Sequence, residues 1–358
     1  MIFAGDFAQL PPISSESWSL YRKLHGYLVT SKSGQDRTLR KGLWHQINTV
    51  VILRQNMRHK LQTPDDRRLR TALENMRFHD CTEDDITFLK SRVSGRKDSV
   101  HTMTSAEFRN VSIITAWNVH KDEVNRLGTL QFSNEIKQEL INFFSDDTNI
   151  GPRLQHILWN QLPSSMSKHI SGKLSLCKGL PVMIWNNVAM ELCITKGQKG
   201  FVYAWQVLDT LFVKLCDLPS DIQLPGLPLN VVPLTPTKTH FKCFLSNRER
   251  VFITREQIKV LPNFAMTDYT SQGKTRPYNV VDLSNCKSHQ ACATAEGTII
   301  LADTMEVSKH LIQNHASGEL RQEFRDFEIL NDITRLRFIS ELDVGVIGLT
   351  RSELIASY

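Results

Sequence analysis

Three segments of the chain place polar and charged side chains at spacings suited to a phosphate-bearing ligand. They are Gly5-Asp6-Phe7-Ala8-Gln9-Leu10-Pro11-Pro12, Leu53-Arg54-Gln55-Asn56-Met57-Arg58 and Ala265-Met266-Thr267-Asp268-Tyr269-Thr270-Ser271-Gln272-Gly273-Lys274-Thr275. The first segment offers a carboxylate and an amide, and the third offers hydroxyl groups. The second offers guanidinium groups, whose planar fork matches phosphate geometry. These residue types therefore indicate binding of a phosphate-bearing ligand.

Two short apolar runs precede the first two segments and predict the strands that would position them. Met1-Ile2-Phe3-Ala4 reads as a buried parallel strand that ends at a turn, and Val50-Val51-Ile52-Leu53 reads as a second strand. Ligands of open α/β sheets bind outside the carboxyl ends of such strands, so Asp6 and Gln9 would face a ligand. A surface strand-turn without a ligand and arginines on a solvated face remain alternatives at this point.

Helix and strand signals continue along the chain. Thr63-Pro64-Asp65-Asp66 and Thr82-Glu83-Asp84-Asp85 are typical helix starts, with a threonine cap and acidic residues in the first turn. A further helix is predicted from about Asn118, and apolar side chains predict a packing helix over Leu320–Leu336. Buried strands are predicted at 111–115, 278–283 and 298–301. Short β-like runs separated by Gly and Pro over 172–261 predict a small inserted β-barrel.

Composition excludes several classes of protein. The 358 residues include 43 basic and 37 acidic side chains, a net charge of +6, which is compatible with a polyanionic partner without requiring one. Seven cysteines without C-x-x-C spacing argue against a disulfide framework, a zinc ribbon or a redox pair. No signal sequence and no apolar run near 18 residues is evident. We therefore expect an intracellular protein without a membrane or metal site.

The three segments resemble motifs of the petite-integration-frequency family of RecD-like ATP-dependent DNA helicases. The resemblance implies that Asp6 and Gln9 lie at the nucleotide, with Gln9 sensing the γ-phosphate, and that Arg58 is an arginine finger. It also implies DNA-phosphate contacts from Thr267, Ser271, Gln272, Gly273 and Thr275. Thr270 stands where the family has a lysine. The tail at Gly318–Arg325 is similar to the transposon-encoded fungal branch of these helicases.

This resemblance predicts an α/β fold with a partial RecA-like P-loop helicase core, an inserted small β-barrel and a carboxyl-terminal helix. The predicted segments are a remnant of the first RecA-like domain at 1–45, the second RecA-like domain at 46–171 and 263–303, a barrel-like insertion at 172–262, and a helical tail at 304–358. The implied cofactors are ATP and Mg²⁺, the implied partner is single-stranded DNA, and the implied location is nuclear. Family roles in DNA repair and recombination are implied as well.

Three parts of an ATP-driven motor are missing from the 358 residues. Gly273-Lys274-Thr275 is not a Walker A loop, because that loop needs a glycine where Asp268 stands. No apolar strand ends in Asp-Glu, and no arginine occurs between Pro277 and Leu320. Two hypotheses follow: an amino-terminally truncated portion of a 5′-to-3′ helicase, or a degenerate relic that only binds single-stranded nucleic acid. In either case we expect no tight ATP binding and no catalysis by this chain.

Overall fold

The computed structural model describes residues 2–9, 19–22, 31–54, 64–95, 108, 111–148, 150–165, 168–206, 210–244, 250–272, 278–283, 299–301, 317–340 and 349–358. These residues group into two compact units. The first unit holds the described residues up to Lys90 and those from 317 onward. The second holds the described residues from Ser91 to 301. The division into five segments stays a prediction.

The first unit consists of helices. They are α1 (Lys32–Trp44), α2 (Pro64–Phe78), most of α3 (Glu83–Ser91), α7 (Gly318–Phe338) and α8 (Arg351–Ser357). The helix starts predicted at Pro64 and Glu83 are confirmed, and Thr82 caps α3 by accepting a hydrogen bond from the Asp85 backbone N–H at 3.1 Å. Thr63 lies outside the described residues. The packing helix predicted over Leu320–Leu336 is confirmed as α7.

The second unit begins with a parallel sheet. Its strands are β1 (Ile113–Thr115), β12 (Ala265–Thr267), β13 (Val280–Asp282) and β14 (Ile299–Leu301), in the order β12-β1-β13-β14. The long helix α4 (Asn118–Glu135) follows β1, and the single turn α6 (Asp268–Ser271) follows β12. The three predicted strands are present but shorter than expected, and the mixed α/β class is confirmed.

The remaining strands of this unit form antiparallel sheets. One sheet has the order β11-β5-β6-β7-β8, a second has β3-β10-β9, and β2 pairs with β4. Their bounds are β2 (Ile141–Phe144), β3 (Asp146–Thr148), β4 (Lys173–Leu176), β5 (Pro181–Ile184), β6 (Lys199–Gln206), β7 (Thr210–Leu215), β8 (Val231–Leu234), β9 (Thr237–Phe244), β10 (Arg250–Gln257) and β11 (Val260–Pro262); α5 spans Pro152–Trp159. Pairing among the described residues does not close a barrel, so the predicted small barrel is not confirmed.

An apolar core and a buried ion pair hold these antiparallel sheets together. Val182, Ile184 and Val213 are fully buried in one cluster. Arg255 of β10 donates two hydrogen bonds to the Asp147 carboxylate of β3, at 2.7 and 2.6 Å, and a third at 2.9 Å to the Ile170 carbonyl oxygen. Both charged side chains are fully buried. Because each charge is satisfied by the other, removing one would leave the partner buried and unpaired.

The two strands predicted near the amino terminus are wrong. Residues 2–6 and 47–54 are in no strand, and Ile2 and Phe3 are 96% and 59% exposed. The 50–54 segment contacts α7 instead of entering a sheet. The Val50 backbone N–H donates to Thr334 Oγ1 at 3.1 Å, and the Ile52 N–H donates to Asn331 Oδ1 at 2.9 Å. Side chains of a helix therefore satisfy backbone groups that the sequence pattern assigned to a neighbouring strand.

The carboxyl-terminal helices are joined by a buried arginine. Arg351 of α8 donates to Glu323 Oε1 at 2.9 Å and to Asp326 Oδ2 at 3.2 Å, both on α7. The Trp44 indole N–H of α1 also donates to Glu323 Oε1, at 2.9 Å. None of the helices in the described ranges is both long and apolar enough to cross a membrane.

Candidate nucleic-acid interface

The carboxyl edge of the parallel sheet brings the third motif segment next to two other strand ends. Thr115 of β1 lies opposite Thr267 of β12 on one side and opposite Asp282 of β13 on the other. The Thr115 hydroxyl group is 3.4 Å from Asp282 Oδ2. This edge is where open parallel sheets bind ligands. The segment from Thr267 to Gln272 therefore lies at the edge of the sheet that such folds use for ligands, and its predicted DNA contacts stay a prediction.

A buried asparagine on α4 fixes the strand that leads into this segment. Asn125 Oδ1 accepts hydrogen bonds from the backbone N–H groups of Phe264 and Ala265, at 2.9 and 2.8 Å. Its amide group donates to the Ala265 carbonyl oxygen at 3.1 Å. Among the described strands β12 is at the edge of its sheet, so its outer backbone groups have no strand partner there. The Asn125 side chain takes the place of that partner.

Close packing of α4 on the chain before β12 also depends on a glycine. A Cβ atom on Gly128 would lie 2.5 Å from Cγ of Phe264, closer than real carbon atoms approach. Phe264 also packs against Phe132, one turn further along α4, with ring centroids 6.1 Å apart. Glycine and aromatic packing together hold α4 against the segment that leads into the interface.

The motif segment divides into buried positioning groups and exposed groups. Thr267 caps α6 by accepting a hydrogen bond from the Thr270 backbone N–H, and the two hydroxyl groups are 2.9 Å apart. Thr267 and Ser271 are buried, whereas Gln272 is exposed and Tyr269 is 38% exposed. Of the predicted DNA contacts, Gln272 is therefore accessible, and the two buried hydroxyls shape the turn. Gly273 and Thr275 lie outside the described residues.

Asp268 is a buried acid within this turn. Its Oδ1 accepts a hydrogen bond from the Tyr269 backbone N–H at 2.8 Å. Burial raises the pKa of the Asp268 carboxyl group above its usual value, against the opposing effect of the backbone hydrogen bonds. No cation of the described part of the chain forms an ion pair with it. The turn that presents Tyr269 and Gln272 thus carries an acid whose charged form is disfavoured.

The residues predicted to lie at the nucleotide are arranged differently. Asp6 Oδ1 accepts from the Ala8 backbone N–H at 3.0 Å and from Arg77 Nη2 at 2.9 Å. The Gln9 backbone N–H donates to the Asp6 carbonyl oxygen at 3.3 Å, and Gln9 is exposed. Because residues 2–6 form no strand, the argument that placed Asp6 and Gln9 at a sheet edge does not hold. Arg58 lies outside the described residues.

The groups expected around ATP and Mg²⁺ are not assembled in the described residues. The 358 residues contain no Walker A loop, and the Asp6 carboxylate pairs with an arginine instead of standing open to a cation. No cluster of three or more His, Cys, Asp or Glu side chains suited to a metal ion occurs in the described ranges. The described side chains therefore do not fit a Mg²⁺-nucleotide.

The second unit combines a parallel sheet, in which a helix follows each of two strands, with antiparallel sheets, which is a mixed α/β fold. In sequence alone, no family profile matches the chain and no curated protein is significantly similar to it. The similarity of this chain to known proteins is therefore a similarity of three-dimensional structure.

Solved structures of Pif1 helicases are among those that this fold matches. A Pif1 helicase from Bacteroides, in complex with ADP-AlF3 and single-stranded DNA, superimposes with a TM-score of 0.57 at 16% identity, covering 90% of this chain and 66% of that one. The Pif1 helicase from Candida albicans superimposes with a TM-score of 0.51 at 17% identity, covering 73% of this chain and 58% of that one. This chain spans 58% to 66% of the length of these helicases.

Sequence reasoning missed two residues of the candidate interface. Asn125 lies 140 residues from the strand that it holds, and nothing in its local pattern signals that pairing. Tyr269 stands within the motif segment, and an aromatic residue between hydroxyl and amide side chains was an available signal for base stacking. One missed residue positions the segment, and the other is exposed on it.

Proposed function

We propose that the chain binds single-stranded DNA through the carboxyl edge of its parallel sheet, as part of a helicase of the Pif1 type. The observation that carries the proposal is the placement of the Thr267–Gln272 segment at that edge, capped by Thr267 and held by Asn125. Support comes from the fold shared with Pif1 helicases, one of which was solved with single-stranded DNA.

The exposed groups of the segment suit a single strand. Tyr269 offers an aromatic face on which a base can stack, and Gln272 offers an amide that can donate to a phosphate oxygen. Single-strand sites combine such stacking with backbone contacts and need no particular base sequence. Binding of an unpaired strand therefore accounts for both exposed side chains, whereas a duplex would hide its bases from Tyr269.

The experiment compares two exposed tyrosines of the same unit. Tyr269→Ala should weaken binding of a labelled oligothymidylate about 5- to 150-fold, since stacking of one base contributes about 1–3 kcal/mol. Tyr203→Ala is the matched control, because Tyr203 is 46% exposed on β6, in the five-stranded sheet. Fluorescence anisotropy gives both affinities. Equal losses in the two variants, or none in Tyr269→Ala, would contradict the proposal.

We further propose that the 358-residue chain does not hydrolyse ATP by itself. Its sequence lacks the Walker A loop, and no arginine occurs between Pro277 and Leu320. Loss of one arginine finger alone costs about 10³–10⁵ in rate in related NTPases. DNA-stimulated phosphate release above background by the purified chain would refute this. The transposon origin, the nuclear location and the roles in repair and recombination stay predictions.

A further inference from the structure

Two lysine side chains of the same unit lie near the indole ring of Trp185, which follows β5, and two further lysines contact Trp185 through their backbone carbonyl groups. Lys196 Nζ lies 4.5 Å from the ring centroid, and Lys121 Nζ lies 5.6 Å from it. The indole N–H donates to the Lys168 carbonyl oxygen at 3.0 Å. The Trp185 backbone N–H donates to the Lys259 carbonyl oxygen at 2.9 Å. We call these five residues the Trp185 cluster.

Positive charge in the Trp185 cluster exceeds negative charge. Lys121 is buried and pairs with Asp122 Oδ1 at 3.1 Å. Lys168, Lys196 and Lys259 pair with no carboxylate in the described part of the chain. Burial lowers the pKa of the Lys259 ammonium group, and the charge of Lys168 lowers it further. Four lysines against one aspartate leave about three positive charges without a compensating group.

The pKa of the neighbouring residue His169 is lowered in part by the same positive charges. The His169 ring packs edge-on against Trp185, with centroids 5.9 Å apart. Burial lowers the pKa of His169, and the charges of Lys121 and Lys196 lower it as well, while Asp122 opposes them. Like charges held this close repel one another unless an anion neutralises them.

The turn that carries Lys196 is held in place by hydrogen bonds. Asn187 Oδ1 accepts from the Lys196 backbone N–H at 2.8 Å, and the Gly197 N–H donates to the Ile184 carbonyl oxygen at 2.7 Å. Gly197 has a φ of +89°, a conformation that favours glycine. The fold therefore fixes the backbone from which the Lys196 side chain reaches the indole ring.

The Trp185 cluster adjoins the edge described above. Lys121 belongs to the first turns of α4, which begins three residues after Thr115, and Thr115 lies opposite Thr267 in the sheet. Trp185 is half-buried, and Lys168 and Lys196 are exposed. A strand bound at Thr267–Gln272 thus has a cationic cluster next to an aromatic ring at the same end of the sheet.

We infer that the Trp185 cluster binds a backbone phosphate of the same single strand, with Lys168, Lys196 and Lys259 as its cationic contacts. The inference rests on the proposed function and extends it to residues outside the motif segment. Lysine acts here as a point charge, which suits sequence-independent contact with a mobile phosphate backbone. The half-buried indole provides the apolar surface beside which a sugar or base of that strand packs.

The test removes two charges from the cluster and two from elsewhere. Lys196→Gln with Lys259→Gln should weaken oligothymidylate binding about tenfold at moderate salt. It should also flatten the plot of log K against log salt by about 0.7 for each lost phosphate contact. The control pairs Lys178→Gln with Lys214→Gln, two exposed lysines of the same unit, and has the same net charge. Circular dichroism checks that both variants fold.

The outcomes are distinguishable. If the parent binds and both double variants match each other in affinity and slope, the cluster inference fails and the proposed function stands. If the parent does not bind, both fail. Acetylation of the native chain adds a measurement without variants: oligothymidylate should protect Lys196 and Lys259. Protection by inorganic phosphate at equal ionic strength, but not by the oligonucleotide, would make this a free-phosphate site and overturn the inference.

Discussion

At the scale of single residues, Asp268 is buried in the turn that presents Tyr269 and Gln272. Burial raises the pKa of its carboxyl group above 3.8, so the folded chain holds this proton more tightly than the unfolded chain does. The contribution of Asp268 to stability is therefore favourable below the unfolded pKa and is lost as the pH rises through the folded pKa. At neutral pH the ionised carboxylate destabilises the turn.

Because the ionised Asp268 carboxylate destabilises the turn at neutral pH, the substitution Asp268→Asn should stabilise the chain there. Asparagine keeps an oxygen for the Tyr269 N–H and has no charge to desolvate, so the variant should unfold at a higher urea concentration than the parent at pH 7. The gain should shrink as the pH falls through the raised pKa of the parent carboxyl group, because the protonated side chain carries no charge to desolvate. Urea denaturation at several pH values measures both effects. A variant less stable than the parent at pH 7 would show that the charged form is favoured in the fold.

At the scale of elements, Asn125 joins α4 to the edge strand β12. Asn125→Ala would leave two backbone N–H groups and one carbonyl oxygen without their partner, at a cost of about 2–4 kcal/mol. The control is Asn134→Ala, an exposed asparagine of the same helix. Urea denaturation should separate the two variants, and the first should also bind oligothymidylate less well. Equal stability of both variants would show that β12 does not depend on this side chain.

The elements also show what the sequence could predict. The starts of α2 and α3 were predicted because cap and first-turn residues act within a few positions of the chain. Met1–Ala4 and Val50–Leu53 were assigned wrongly because a strand also needs a neighbouring strand. For Val50 and Ile52 the partners are side chains of α7, about 280 residues away. Local patterns do not report such distant partners.

The candidate interface shows the same division between local and distant information. The motif segment was recognised from its own residues, whereas its position at the sheet edge is apparent only in the structure. The burial of Thr267 and Ser271 could not be predicted, because it depends on how α6 packs after β12. The Trp185 cluster draws on residues from 121 to 259. Only their three-dimensional arrangement brings Lys121 and Lys196 to the indole ring and the carbonyl groups of Lys168 and Lys259 to the same tryptophan.

At the scale of the whole molecule, the proposed interface lies in the second unit of the chain. A net charge of +6 spread over 358 residues does not locate a binding surface by itself. The location comes instead from the carboxyl edge of the parallel sheet and from the lysines around Trp185, all within the second unit. The first unit carries Asp6, whose carboxylate pairs with Arg77.

Hydrogen–deuterium exchange of the chain, with and without saturating oligothymidylate, shows directly whether a single strand binds at the Thr267–Gln272 segment and the Trp185 cluster. We expect slower exchange in peptides covering 264–272 and 185–198 when the strand is bound, and unchanged exchange in β7 and β8. Weakening of this protection at high salt is also expected, because phosphate contacts release counterions. Protection confined to the first unit, or no protection while the strand is bound, would contradict binding at the carboxyl edge of the parallel sheet.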